Sequence, residues 1–128
     1  MTFRIPYIEV VVTPKCNLRC IGCANLMNHY ENPRHSDWDT VKRSAAALLA
    51  VCGGINTVKL IGGEPFLYPE LYKAVNYFCQ NKKVKNVILI TNGTILPKGD
   101  TVDCLKNDKV IVHISKYDII KSEKLTGF

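Results

Sequence analysis

Three of the six cysteines in this 128-residue chain, Cys16, Cys20 and Cys23, stand in the spacing C-x3-C-x2-C. Thiolates set this closely along a loop can point into one small volume and bind a soft metal centre. Three is one too few for a structural zinc site, which closes with four protein ligands built from two short pairs, and no second pair follows. His29, in the same stretch, is a candidate fourth ligand that would make a Cys3His zinc site. A cubane iron–sulfur cluster held by three thiolates would instead keep one iron open to an outside ligand. Further along stand Gly62-Gly63-Glu64-Pro65, then Thr91-Asn92-Gly93, then Ser115 with Asp118. Glycines let the backbone approach a ligand closely, and a carbonyl or carboxylate suits an ammonium group.

Each of these groups follows an apolar run. Residues 5–12, IPYIEVVV, are mostly β-branched or aromatic and end at Thr13-Pro14, since proline cannot donate to a ladder. Residues 15–35 hold the cysteine triplet without helical or strand periodicity, and loops this long in compact domains are usually functional. Ser36 stands three residues before Asp39, a capping-box spacing, and Trp38, Val41, Ala45, Leu48 and Cys52 fall on one helical face. The spacing predicts a helix to about residue 51, closed by Gly53-Gly54. The cycle repeats with a strand over 57–61, the GGEP exit, and a helix over 69–80 with Leu71, Ala74, Val75 and Phe78 inward. It repeats again with a strand over 86–91, the Asn92-Gly93 turn, and a short helix over 99–106 presenting Val102 and Leu105; a fourth strand spans 109–115. Strands alternating with helices predict βαβ units around a parallel sheet, whose strand C-termini are where such folds place their active sites.

The cysteine triplet after strand one, GGEP after strand two and a serine ending strand four together resemble the radical S-adenosylmethionine (radical SAM) enzymes. The resemblance covers nearly the whole chain. It implies an α/β fold: a parallel-sheet partial TIM barrel, first half only, (βα)3β, with a cluster-binding loop after strand one. Residues 1–128 would form one radical SAM core domain without strands five and six of the usual six-unit core. By the same resemblance, Cys16, Cys20 and Cys23 would hold a [4Fe-4S] cluster, the metal centre, whose open iron binds S-adenosylmethionine (SAM). Gly62, Gly63, Glu64 and Pro65 would contact the methionine end of SAM. Ser115 would bind its ribose, with Asp118 nearby, and Asn92, beside Thr91, is either a cofactor contact or a plain turn residue. The implied activity is reductive cleavage of SAM to methionine and a 5′-deoxyadenosyl radical that abstracts hydrogen from an unidentified small-molecule, peptide or protein substrate. An electron donor such as flavodoxin or ferredoxin would supply the reductant, and no catalytic side chain is assigned. The alternative is a non-catalytic half-barrel, binding an iron–sulfur cluster or zinc and acting through a partner. One departure concerns adenine: the aromatic residue that many relatives carry before the third cysteine is Gly22 here, which leaves adenine to backbone groups or Tyr30.

Composition sets the rest. The formal charge of +6 is spread along the chain, and its densest stretch, Lys82, Lys83 and Lys85, reads as a solvated turn rather than a nucleic-acid patch. No apolar run approaches the ~20 residues of a membrane span, and the N-terminus lacks the pattern of an export signal, so the expectation is a soluble, cytoplasmic protein with reduced cysteines. Cys52, Cys79 and Cys104 lie on apolar helix faces and read as packing residues. His35 reads as a loop residue and His113 as a satisfied core or interface histidine; Tyr7, Glu9 and Tyr117 could face a substrate cavity without assigned roles. A four-stranded sheet ends in open edges, which predicts a homo-oligomer that completes the sheet or a longer parent chain.

Overall fold

A computed structural model describes residues 3–16 and 34–115. Each apolar run becomes a strand and each amphipathic run a helix: β1 (Arg4–Thr13), α1 (Trp38–Val51), β2 (Gly54–Gly62), a 3-10 turn (Pro65–Leu67), α2 (Leu71–Gln80), β3 (Val84–Thr91), α3 (Asp100–Leu105) and β4 (Val110–Ile114). The strands form one sheet in the order β1-β2-β3-β4, every neighbouring pair parallel. Each crossover therefore moves one strand along, which lines up four strand exits on the same rim. The expected α/β half-barrel topology is the one observed.

Strand alternation sorts the side chains into two faces. The register Ile8–Val58–Val87–Val110 and Val10–Leu60–Leu89 packs under the helices, where Val58, Leu60, Val87 and Leu89 are fully buried. They meet the inner face of α2, and all four residues expected there, Leu71, Ala74, Val75 and Phe78, have 0% exposure. From α1 come Trp38, Ala45 and Leu49, with Val41 and Leu48 packed partly against the same core. The other face, Tyr7–Thr57, Glu9–Lys59–Ile88–Ile111, Val11–Ile61 and Ile90–His113, carries no described helix. There Tyr7, Val11 and Ile111 are exposed, and the Lys59 ammonium sits 4.3 Å from the Tyr7 ring centroid. His113 is exposed as well, which removes the core half of the expectation of a core or interface histidine; its side of the sheet lacks a cover among the described residues.

The caps differ from the sequence expectation. Asp37, not Ser36, caps α1, accepting the Thr40 backbone N–H at 3.1 Å. Ser36 is drawn away because its hydroxyl donates to Val11 O at 2.7 Å, tying the segment before the helix to β1. At the other end of α1, the half-buried Lys83 is more than a solvated turn residue. Its ammonium donates to Leu49 O at 2.6 Å and Cys52 O at 3.1 Å, where the helix macrodipole and unpaired carbonyls favour a cation. Lys82 and Lys85 remain exposed. Cys52, Cys79 and Cys104 are buried free thiols, as expected. Burial pushes the Cys79 thiol up and, with Cys79 close by, lifts Cys104 to about 11; both stay protonated and behave as packing groups.

Candidate cofactor site at the strand ends

Cys16 lies just beyond β1, half-buried, and its position follows from how β1 and β2 leave the sheet. Thr13, fully buried, accepts the Lys15 N–H on its hydroxyl at 3.0 Å and the Gly63 N–H on its carbonyl at 2.9 Å; Lys15 O then accepts the Glu64 N–H at 2.8 Å. The two exit segments thus run against each other backbone to backbone. A Cβ on Gly62 would press into Thr13 O, and one on Gly63 would press into Lys15 O and come within 2.7 Å of the Cys16 Cβ. The glycine pair is there because only a bare backbone fits beside the Cys16 segment. Gly63→Ala must therefore push that segment outward. We expect a loss of about 1–3 kcal/mol in stability, the usual scale of overpacking, read as a lower denaturant midpoint.

The far end of the cysteine-bearing segment returns to the same place. His35 Nδ1 pairs with the Thr13 hydroxyl at 2.8 Å, the Ser36 N–H donates to Val12 O at 2.9 Å, and the Tyr68 hydroxyl donates to Ser36 O at 2.9 Å. Burial, and then the Lys15 ammonium, hold His35 below the ordinary histidine value, so its neutral ring bridges Thr13 and the Tyr68 ring, 5.7 Å away. Burial raises Tyr68 to about 12, keeping its hydroxyl a donor. Cys20, Cys23, His29, Tyr30, Tyr117 and Asp118 lie outside the described residues.

Glu64 is the centre of the rim. Its exposure is 0%, and its two carboxylate oxygens are both taken up inside the fold. Oε1 accepts the Asn92 N–H at 2.8 Å, Oε2 accepts the Phe66 N–H at 2.9 Å, and the Thr91 hydroxyl lies 2.8 Å from each. The Thr91 hydroxyl donates its one proton to this carboxylate, which can only accept, while its oxygen also accepts the Gly93 N–H at 3.2 Å. Glu64 thereby binds the end of β2 to the end of β3, and Pro65, buried behind it, opens the 3-10 turn that Glu64 caps. A carboxylate in this position was legible only as a ligand group. Its use as an internal acceptor depends on β3 ending beside it.

Asn92 projects from this clamp. Its Oδ1 accepts the Thr94 N–H at 3.0 Å and the Thr94 hydroxyl at 2.6 Å, while its Nδ2 lies 3.9 Å from the Cys16 sulfur. Gly93, at φ 76°, makes the turn in the left-handed region that glycine adopts without strain. Ser115 extends the β3–β4 ladder through its N–H to Thr91 O at 2.8 Å. The structure thus gathers Cys16, Gly62, Gly63, Glu64, Asn92 and Ser115 on one rim. Among the described residues no three His, Cys, Asp or Glu side chains gather as a metal site, and Cys16 contributes a soft thiol at the edge.

Residues 10–115 match the family described as the Radical SAM superfamily. The chain belongs to the radical SAM superfamily. It is 37% identical over 130 residues to the GTP 3′,8-cyclase of Clostridium acetobutylicum, covering 98% of this chain and 39% of that protein. It is 30% identical to the GTP 3′,8-cyclase of Helicobacter pylori, covering 92% of this chain and 40% of the relative. The chain thus spans about two fifths of these relatives. Among solved structures, SuiB of Streptococcus suis bound to S-adenosylmethionine superposes with a TM-score of 0.75 at 21% identity, covering 98% of this chain and 28% of SuiB. The same protein bound to its precursor peptide SuiA gives the same score over 99% of this chain. The radical SAM family uses a [4Fe-4S] cluster and SAM. The described rim fits such a pair: a soft thiol, an amide donor facing it, and a glycine backbone packed alongside. No helix among the described residues is long and apolar enough to cross a membrane.

Proposed function

We propose that this chain is the cofactor-binding half of a radical SAM enzyme, with Cys16, Cys20 and Cys23 as the cluster ligands. The observation that carries the reading is the meeting of Cys16 with the Gly62-Gly63 turn and Asn92 on a single rim. When bound, the cluster supplies the electron that cleaves SAM to methionine and a 5′-deoxyadenosyl radical. The chain's own contribution is placement. The Thr13–Gly63 and Lys15–Glu64 backbone bonds fix the Cys16 segment, the backbone of residues 62–63 would border the methionine end of SAM, and Ser115, at the end of β4, would bind the ribose. With Glu64 engaged inside the fold, backbone carbonyls of this turn rather than that carboxylate would be left to face the amino group of SAM.

For the whole protein we propose a purine nucleoside triphosphate as substrate class, on the strength of relatives named GTP 3′,8-cyclase at 37% and 30% identity. A one-electron donor protein would reduce the cluster. The test is anaerobic reconstitution with iron and sulfide, followed by assay with a strong reductant and SAM, with and without GTP. Iron, acid-labile sulfide, a broad visible absorbance and 5′-deoxyadenosine are the expected results. A folded chain that takes up zinc but no iron would sink the reading. Cluster formation without 5′-deoxyadenosine would leave a binding module instead.

A further inference from the structure

Asn92 stands in a turn, yet its side chain is oriented from two sides. The Thr94 backbone N–H can only donate, so the amide atom facing it at 3.0 Å must be the oxygen. This fixes the flip that amide side chains otherwise leave open, and it turns the NH2 group toward the Cys16 sulfur, 3.9 Å away. At 3.9 Å the amide faces the sulfur at the long end of N–H···S contact, a separation that a thiolate bearing negative charge would shorten. The Asn92 backbone is held as firmly, its N–H donating to the buried Glu64 Oε1 at 2.8 Å. The donor is therefore aimed by the fold before any ligand arrives.

We propose that Asn92 is a positioning and tuning residue for the metal centre: its amide N–H donates to the Cys16 thiolate and raises the reduction potential of the cluster, with Glu64 and Thr94 holding the amide in place. The inference rests on the reading of Cys16 as a cluster ligand. Reduction adds negative charge that is shared with the coordinating sulfurs, and a hydrogen bond to a ligand sulfur stabilises the more negative state. Removing the donor makes the cluster harder to reduce. Of the energy of that hydrogen bond, only the part that differs between oxidation states counts. A change of about fivefold to tenfold in the one-electron equilibrium is the expected size, or about 40–59 mV at ~59 mV per tenfold.

The experiment is a redox titration, followed by electron paramagnetic resonance, of the anaerobically reconstituted chain and two variants. Asn92→Asp keeps the oxygen that accepts from Thr94 and exchanges the donor for an acceptor; Asn92→Leu removes both. Both potentials should fall, that of the Asp variant at least as far as that of the Leu variant, with iron content and far-ultraviolet circular dichroism unchanged. Potentials equal to the parent's in either variant overturn the proposal. So does loss of the cluster from both variants while they remain folded, which would make Asn92 an assembly residue. If the parent chain itself takes up no iron, the cluster reading fails first, a result distinct from either of these.

Discussion

Cys16→Ala will take up no stable iron–sulfur cluster, will lack the broad visible absorbance after reconstitution, and will form 5′-deoxyadenosine only at background. The fold should hardly notice. The thiol is half-buried beyond the last residue of β1, and the segment is fixed by backbone bonds from Gly63 and Glu64 that alanine preserves. A loss within about 1 kcal/mol is the expected scale for such a site. Cys52→Ala is the matching control, since Cys52 is 4% exposed inside the core. Its effect should be the reverse: iron retained, and stability lowered by about 1–2 kcal/mol through the cavity left behind. Iron analysis and a denaturant midpoint on both variants separate ligand from packing cysteine. Full iron uptake by the Cys16 variant would remove that residue from the ligand set.

Glu64→Leu should be the most destabilising single change at the rim. It strands the Asn92 and Phe66 N–H groups and the Thr91 hydroxyl in a place where Glu64 has 0% exposure and water cannot replace it. Each unsatisfied buried donor costs about 1–3 kcal/mol, so a total of about 3–5 kcal/mol is expected after relaxation. That is a large share of the ~5–15 kcal/mol by which domains are stable. Glu64→Gln is the sharper probe. Both oxygens face backbone N–H donors, so an amide NH2 in either place sets donor against donor, and a loss of about 1–3 kcal/mol is expected despite nearly identical shape. Denaturant unfolding of the three proteins should rank parent above Gln above Leu. A Gln variant as stable as the parent would show that Glu64 is not the acceptor hub.

Much of the molecule was readable from the residues in order. Continuous apolar runs rich in β-branched residues made strands, and the spacing of Leu71, Ala74, Val75 and Phe78 set the buried side of α2. These are local, periodic signals. The cysteine spacing and the GGEP turn carried the family resemblance, which the match over residues 10–115 bears out. What failed was decided by neighbours far along the chain. Ser36 had the spacing of a cap, but β1 offered Val11 O and Asp37 took the helix. Lys83 belonged to a run of lysines, but the end of α1 lies beside it with carbonyls to spare.

The site divides along the same line. Residue types and spacing determined that the Cys16 thiol, a glycine turn and a polar turn would meet at the strand ends, because a parallel sheet delivers every strand exit to one side. Only the tertiary structure decided what each group does there. The glycines make room for the Cys16 backbone, the Glu64 carboxylate joins β2 to β3, and the Asn92 amide points at sulfur because Thr94 claims its oxygen. The cross-strand contacts among them join residues 27 to 76 positions apart in sequence. Hydrogen-bond geometry across such separations exists only once the strands have paired in register.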